Sequence, residues 1–205
     1  MSNKETIPII VVILCVGIAI LSGCASTTQP SKFYVLSPSP QSEVPKKTTK
    51  SYTGMPIIIG PITLPAYLNR SQIVTRTTEN ELNLAEYHRW AEPIKENIAR
   101  VLMERLSILL DTNQIAIYPR RTSSRSAYQI TIDVTRFDAG PDNHVYLNVF
   151  WTIYGENGRE ALTIKKSNFS IQVESKDYSS IVAAQNRVLI EFCSELAASL
   201  SNMQK

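Results

Sequence analysis

Hydrophobic and polar positions alternate along this chain in blocks whose period shifts between two and about 3.6. From Ala127 to Phe137 the period is two. Tyr128, Ile130, Ile132 and Val134 take one side, and Gln129, Thr131, Asp133 and Thr135 the other. A strand with that pattern has one face in a core and one in solvent. Val145 to Tyr154 repeats it, with Val145, Leu147, Val149, Trp151 and Ile153 on the apolar side. The stretch between them, Asp138-Ala139-Gly140-Pro141-Asp142-Asn143, is made of turn formers. Glu156-Asn157-Gly158 carries the Asn-Gly hairpin signal and leads into a return strand from Glu160 to Val173, with an irregularity expected near Lys165-Lys166. Three such strands in a row predict an antiparallel meander.

The first half of the chain carries shorter strand patterns. Ser31 to Ser37 is one. Met55 to Leu64 is another, and its solid run Ile57 to Ile59 predicts burial on both faces. Pro61 lacks an N–H, which argues against pairing on both sides of that strand. Pro65 to Arg70 interrupts the pattern, and Gln72 to Thr78 resumes it. Asn80 and Asn83 bracket a turn beside a short strand around Leu82 and Leu84, predicting a hairpin over 72–88. Ile115 to Tyr118 is a short strand stopped by Pro119.

Two segments have helical periodicity. Ile94, Ile98, Val101, Leu102, Leu106, Leu109 and Leu110 form one apolar stripe, with Pro93 in the first turn, where a missing N–H costs nothing. Asp111-Thr112-Asn113 ends it. Tyr178 to Ser201 places Ile181, Val182, Val188, Leu189, Phe192, Leu196 and Leu200 along one side, with Asp177 as N-cap. Strands, helix, strands, helix predict a single α+β domain, with two main helices on a mostly antiparallel sheet. Pro38 to Gly54 holds three prolines and three lysines and reads as a flexible loop.

The start of the chain changes the picture most. An apolar run from Ile7 to Leu21 follows Lys4 and ends in Leu21-Ser22-Gly23-Cys24. A basic start, a short apolar stretch and small residues form a secretory signal peptide. A cysteine directly after them makes it a bacterial lipobox, cut between Gly23 and Cys24, with the Cys24 thiol receiving a diacylglyceryl group and the new N-terminus an acyl chain. The other reading is a retained transmembrane anchor, but the run falls short of the ~18–20 residues a bilayer needs. Two or three acyl chains hold a protein on a membrane. The division expected is 1–23 signal, 24–31 lipidated tether and 32–205 folded domain. Ala25, where aspartate would retain an enterobacterial lipoprotein in the inner membrane, favours the periplasmic face of the outer membrane.

Candidate chemistry is sparse. The formal charge is +3, and the compartment excludes nucleic acid. Of three cysteines, Cys15 leaves with the signal and Cys24 is acylated, so only Cys193 remains, a small apolar residue of the second helix. His88 and His144 fall on separate strands with no third ligand at metal spacing. Phosphate loops and a G-x-S-x-G elbow are absent. Asp133 and Asp138 are a conceivable carboxylate pair with nothing local to raise them above surface charge. Arg120, Arg121 and Arg125, with Lys46, Lys47 and Lys50, suit a solvated loop or anionic headgroups. Glu86-Tyr87-His88-Arg89-Trp90-Ala91-Glu92-Pro93 leads an aromatic pair and an arginine into the first helix. It reads as a hydrophobic staple or as a partner contact, since Trp, Tyr and Arg are common interface anchors.

On these residues the chain resembles the PqiC/YmbA family of ABC-type transport auxiliary lipoproteins. The ordered segments are the lipobox, Phe33-Tyr34-Val35-Leu36, Ile59-Gly60-Pro61-Ile62-Thr63-Leu64-Pro65-Ala66-Tyr67-Leu68, Ile73-Val74-Thr75-Arg76, Arg89-Trp90-Ala91-Glu92-Pro93 and Val134-Thr135-Arg136-Phe137-Asp138, closed by the C-terminal helix. Pro38 to Gly54 shows no family pattern. The resemblance implies a non-enzymatic, self-associating lipoprotein without cofactor or metal. It would be anchored in the outer membrane and would serve lipid transport and membrane integrity by docking onto an MCE-domain protein that works with an inner-membrane permease. The residues expected to meet that partner are Tyr67, Arg89, Trp90 and Pro93. The alternatives from other classes are a periplasmic hydrolase and a cell-wall-binding structural lipoprotein.

Overall fold

One twelve-residue strand organises the sheet. In the computed structural model, residues 29–38, 52–119, 127–155 and 158–203 are described. The expected signal peptide, the start of the expected tether, most of the Pro38 to Gly54 stretch, Arg120 to Arg125 and the Asn157 hairpin position lie outside them. The elements are β1 (Lys32–Tyr34), β2 (Ile57–Thr63), β3 (Gln72–Arg76), β4 (Leu82–Trp90), α1 (Ile94–Leu110), β5 (Ile115–Ile117), β6 (Tyr128–Ala139), β7 (His144–Tyr154), β8 (Ala161–Gln172) and α2 (Tyr178–Asn202). Residues 31–205 form one compact unit.

β6, β7 and β8 form the long antiparallel meander read from the sequence. On its other edge β6 carries two strands in tandem. β2 pairs parallel with its first half, and β3 meets it at Thr75 opposite Ala139. Beyond β2 lies β5, and beyond β3 lie β4 and then β1. The sheet is therefore forked, with a short helical turn at Ala66–Leu68 in the crotch between β2 and β3. Its long pairings are antiparallel, while the short arms add parallel ones.

Four expectations are corrected. β2 is paired on both sides over Ile57–Ile59, to β5 and β6. Pro61 is tolerated because it sits in a bulge between Ile59 and Ile62, past the end of β5, where no N–H is required. The Lys165-Lys166 irregularity is not there: the register runs unbroken through both, and the shift lies at Ile153/Tyr154. The two lysines fit a regular strand because they point to opposite faces. Lys165 lies 5.8 Å from the Trp151 ring and pairs with Glu195, while Lys166 lies over Phe150. Pro93 is the residue before α1 rather than its first turn, with φ −54° and ψ 129°. Glu86 to Trp90, read as a lead-in to the helix, is the end of β4, held there by β1 and by the Trp90 N–H donating to Ser71 O at 2.6 Å.

Both helices cover one face of the sheet, α1 over β2 and β5, α2 over β6, β7 and β8. They run side by side in the same direction. Leu36 bonds Asn97 of α1, Ser37 bonds Asn186 of α2, and further along both helices Arg105 lies close to Cys193. Asp177 caps α2 as expected, accepting from the Ser180 N–H at 2.9 Å. The core between helices and sheet contains Trp151, Phe137, Phe192, Ile57, Ile59 and Ile130, all essentially excluded from solvent. Among the described residues no helix is long and apolar enough to cross a membrane.

Candidate functional site

The fork of the sheet is locked by a buried carboxylate. β6 alternates as its sequence predicts as far as Val134, and then its register slips against β7 between Val134 and Arg136. The extra residue, Thr135, reverses which side chains face the helices. Phe137 and Ala139 therefore enter the core, and Asp138 points to the open face. There the Ala66–Leu68 turn roofs it over, and its side chain is 0% exposed.

Every oxygen of Asp138 is used. Arg76 Nε donates to both at 3.1 Å, Arg136 Nε donates to Oδ1 at 2.9 Å, and the Tyr67 hydroxyl donates to Oδ2 at 3.0 Å. Arg76 also donates through Nη2 to the Tyr67 oxygen at 3.2 Å and through Nη1 to Glu79 O at 2.9 Å. Arg136 stacks over the Tyr146 ring at 4.0 Å, and the Tyr146 hydroxyl donates to Asp142. Burial, and next the Asp138 charge, hold the Tyr67 hydroxyl above its usual pKa of 10.0. Gly140 packs closely here: a Cβ there would sit 2.6 Å from Asp142 Oδ1 and 3.1 Å from Arg136 Nη2, so those side-chain ends would have to shift. Two guanidiniums and a phenol around one carboxylate leave a net positive, fully hydrogen-bonded cluster. Such an arrangement fixes geometry, tying β3 and the roofing turn to β6.

Two grooves flank this lock. One, of about 370 Å³, runs from Thr75 and Arg76 past Gly140 and Asn143 to Lys176 and Tyr178. The other, of about 340 Å³, is formed by Asn69, Arg70, Ser71, Trp90, Glu92 and Pro93. Of the four residues expected to meet a partner, the structure brings Trp90 and Pro93 together in the second groove. Tyr67 belongs to the Asp138 lock. Arg89 lies in β4 between Phe33 and Gln72, its Nε buried without a hydrogen-bond partner. Trp90 is only 7% exposed and part of the core, so the groove presents an edge of it rather than a free indole.

The other candidates separate. The Tyr34 hydroxyl lies 2.7 Å from His88 Nδ1, and Tyr178 stacks on the ring at 4.1 Å. His144 is on β7 beside Asp142. Asp133 accepts from Thr63, apart from the Asp138 network. Among the described residues no group of three potential metal ligands is assembled. Cys193 is fully buried in α2, and burial pushes its thiol up to about 12.

The sequence reading missed the Arg76–Arg136–Asp138 lock and took Asp138 for a turn residue. A signal was present. Phe137 falls on the polar phase of the β6 alternation, which only an extra residue in the strand reconciles with burial.

Among solved structures, protein XCC0632 from Xanthomonas campestris, of family DUF330, is similar at 16% identity with a TM-score of 0.70, covering 85% of this chain and 97% of that one. An uncharacterized protein is similar at 14% identity with a TM-score of 0.67, covering 84% and 99%. Both show that the forked fold recurs. No curated protein matches. A family model for the ABC-type transport auxiliary lipoprotein component spans residues 34–197, taking in the roofing turn, the Asp138 lock, both grooves and nearly all of both helices, and the chain therefore belongs to that family.

Proposed function

We propose that this protein is the outer-membrane-anchored lipoprotein of an MCE-type intermembrane phospholipid transport system, acting as a docking component without bond-making chemistry. The observation that carries the reading is the family match over residues 34–197, joined to the lipobox that ends at Cys24. The acylated Cys24 would hold the domain on the periplasmic leaflet. The groove at Trp90 and Pro93, beside the rigid fork, would receive the MCE protein, itself coupled to a permease in the inner membrane. A concave surface lined by a tryptophan edge, a proline and Arg70 suits a protein partner, and the Asp138 lock supplies the rigidity that keeps such a surface preorganised. Self-association would place several such grooves around one conduit.

The test is affinity capture of the tagged mature protein from crosslinked envelopes. Recovery of an MCE-domain protein is the expected result, reduced at least tenfold by Pro93→Glu. Recovery of none under crosslinking overturns the proposal. Cys24→Ser should leave the domain folded but released from the membrane, and normal complementation by that variant would count against a mechanism that needs the anchor.

A further inference from the structure

The edge strand that receives the tether, with the residue that follows it, presents an apolar pair that nothing among the described residues covers. Phe33 is 65% exposed and Val35 49%. They alternate with Tyr34 and Leu36, which turn into the core, so both point to the same outer side. Among the described residues β1 pairs with β4 alone. Phe33 lies in register with Arg89, and Lys32 beside it is exposed. An aromatic ring and an aliphatic side chain beside an arginine form a composition that settles at the boundary between headgroups and acyl chains.

Position decides the occupant. Ala25 to Ser31 are the residues between Cys24 and β1, and a fully extended chain gains at most about 3.5 Å per residue. With Cys24 held in a leaflet, Phe33 stays within about 30 Å of that leaflet. Linkage of this kind gives a weak surface a high effective concentration of its target. Phe150, Leu162 and Ile164 are also exposed, but they lie at the far edge of the sheet on β7 and β8, away from the strand that the tether enters. We infer that Phe33 and Val35 form a membrane-contact edge that enters the headgroup–acyl boundary of the leaflet holding Cys24. This sets the side of the domain that faces the membrane, with the Trp90 groove next to that edge, since Tyr34 is in register with Trp90. The inference rests on the proposed acylation of Cys24.

The test uses the full mature chain. Of its two cysteines, Cys193 is fully buried, so Cys24 can be coupled to a maleimide phospholipid in vesicles of phosphatidylethanolamine and phosphatidylglycerol. Phe33→Trp and Ile164→Trp each add an exposed indole, and the unsubstituted protein gives the background from Trp90 and Trp151. With lipids brominated at carbons 6 and 7, Phe33→Trp fluorescence should be quenched at least twofold more than Ile164→Trp, at any protein density, and adding Val35→Asp should remove that difference. Equal quenching at both positions, or none, overturns the inference. A blue shift at position 33 that grows with protein density without bromine quenching also overturns it, and assigns the edge to a second copy. Acylation is read separately, from the mass of the N-terminal peptide of protein taken from envelopes. An unmodified Cys24 there defeats the anchor reading, while the maleimide vesicles still decide the edge.

Discussion

Two buried charges on opposite sides of the sheet are treated in opposite ways. Asp138, on the open face, is 0% exposed and surrounded by Arg76, Arg136 and Tyr67. Arg105, in the helix layer, is 4% exposed, and its Nε and Nη1 reach no hydrogen-bond partner. It lies near Cys193, which offers little as an acceptor. A buried charge costs several kcal/mol to desolvate, and hydrogen bonds to opposite charges offset that cost only when they are complete. At Asp138 they are complete, and the cluster ties three separate segments together. At Arg105 they are not, and the long side chain serves mainly as packing volume between α1 and the core.

The sharpest way to break this contrast is at the carboxylate. Asp138→Ala strands two guanidiniums at the fork and should cost about 3–5 kcal/mol in denaturant unfolding. A loss under 1 kcal/mol would show that the cluster relaxes to solvent. Arg105→Met should go the other way, raising stability by about 1–3 kcal/mol, because unsatisfied buried donors are replaced by a side chain of similar length. Equal destabilisation at both positions would erase the distinction.

Smaller effects sharpen it. Tyr67→Phe removes one hydrogen bond to Asp138 and should cost about 1 kcal/mol. Because the folded state holds the Tyr67 hydroxyl above 10.0, its contribution is present below pH 10 and fades as pH rises through the folded value. The wild type should therefore lose stability on that alkaline limb more steeply than Tyr67→Phe. Asp177 is an exposed counterpart with satisfied bonds. Ser175, then the Ser180 N–H and hydroxyl, hold its pKa at about 2, below the usual 3.8. Its stabilising effect is full above pH 4 and lost as pH falls toward 2. Asp177→Ala should flatten that acid limb and unfold first at the start of α2, read by hydrogen exchange at Ser180 and Ile181.

The edges of the sheet fit the same contrast between complete and incomplete burial. β8 is twelve residues long and among the described residues pairs with β7 alone, yet Lys165 and Lys166 lie in its middle. Charges at such positions discourage pairing with another chain. β1 is three residues long and has no such device beyond Lys32, which leaves Phe33 available to lipid.

Much of this was legible in the chain because it depends on neighbours in sequence. The alternation of β7 from Val145 to Ile153 matches its burial residue by residue. The α1 stripe, the Asp177 cap and the 72–88 hairpin follow from local periodicity and local hydrogen bonds. The fork, by contrast, needed the tertiary structure. That β2 and β3 share one edge of β6, and that Tyr67, Arg76, Arg136 and Asp138 meet there, depends on pairings between segments some sixty to seventy positions apart. A one-residue bulge turned Asp138 from a turn residue on the polar side into the buried centre of that meeting. Sequence determined which faces are apolar, since that is a property of each residue and its near neighbours. Only the assembled sheet decided which charges are buried and whether they are paired, because the partners that satisfy a buried charge arrive from elsewhere in the chain.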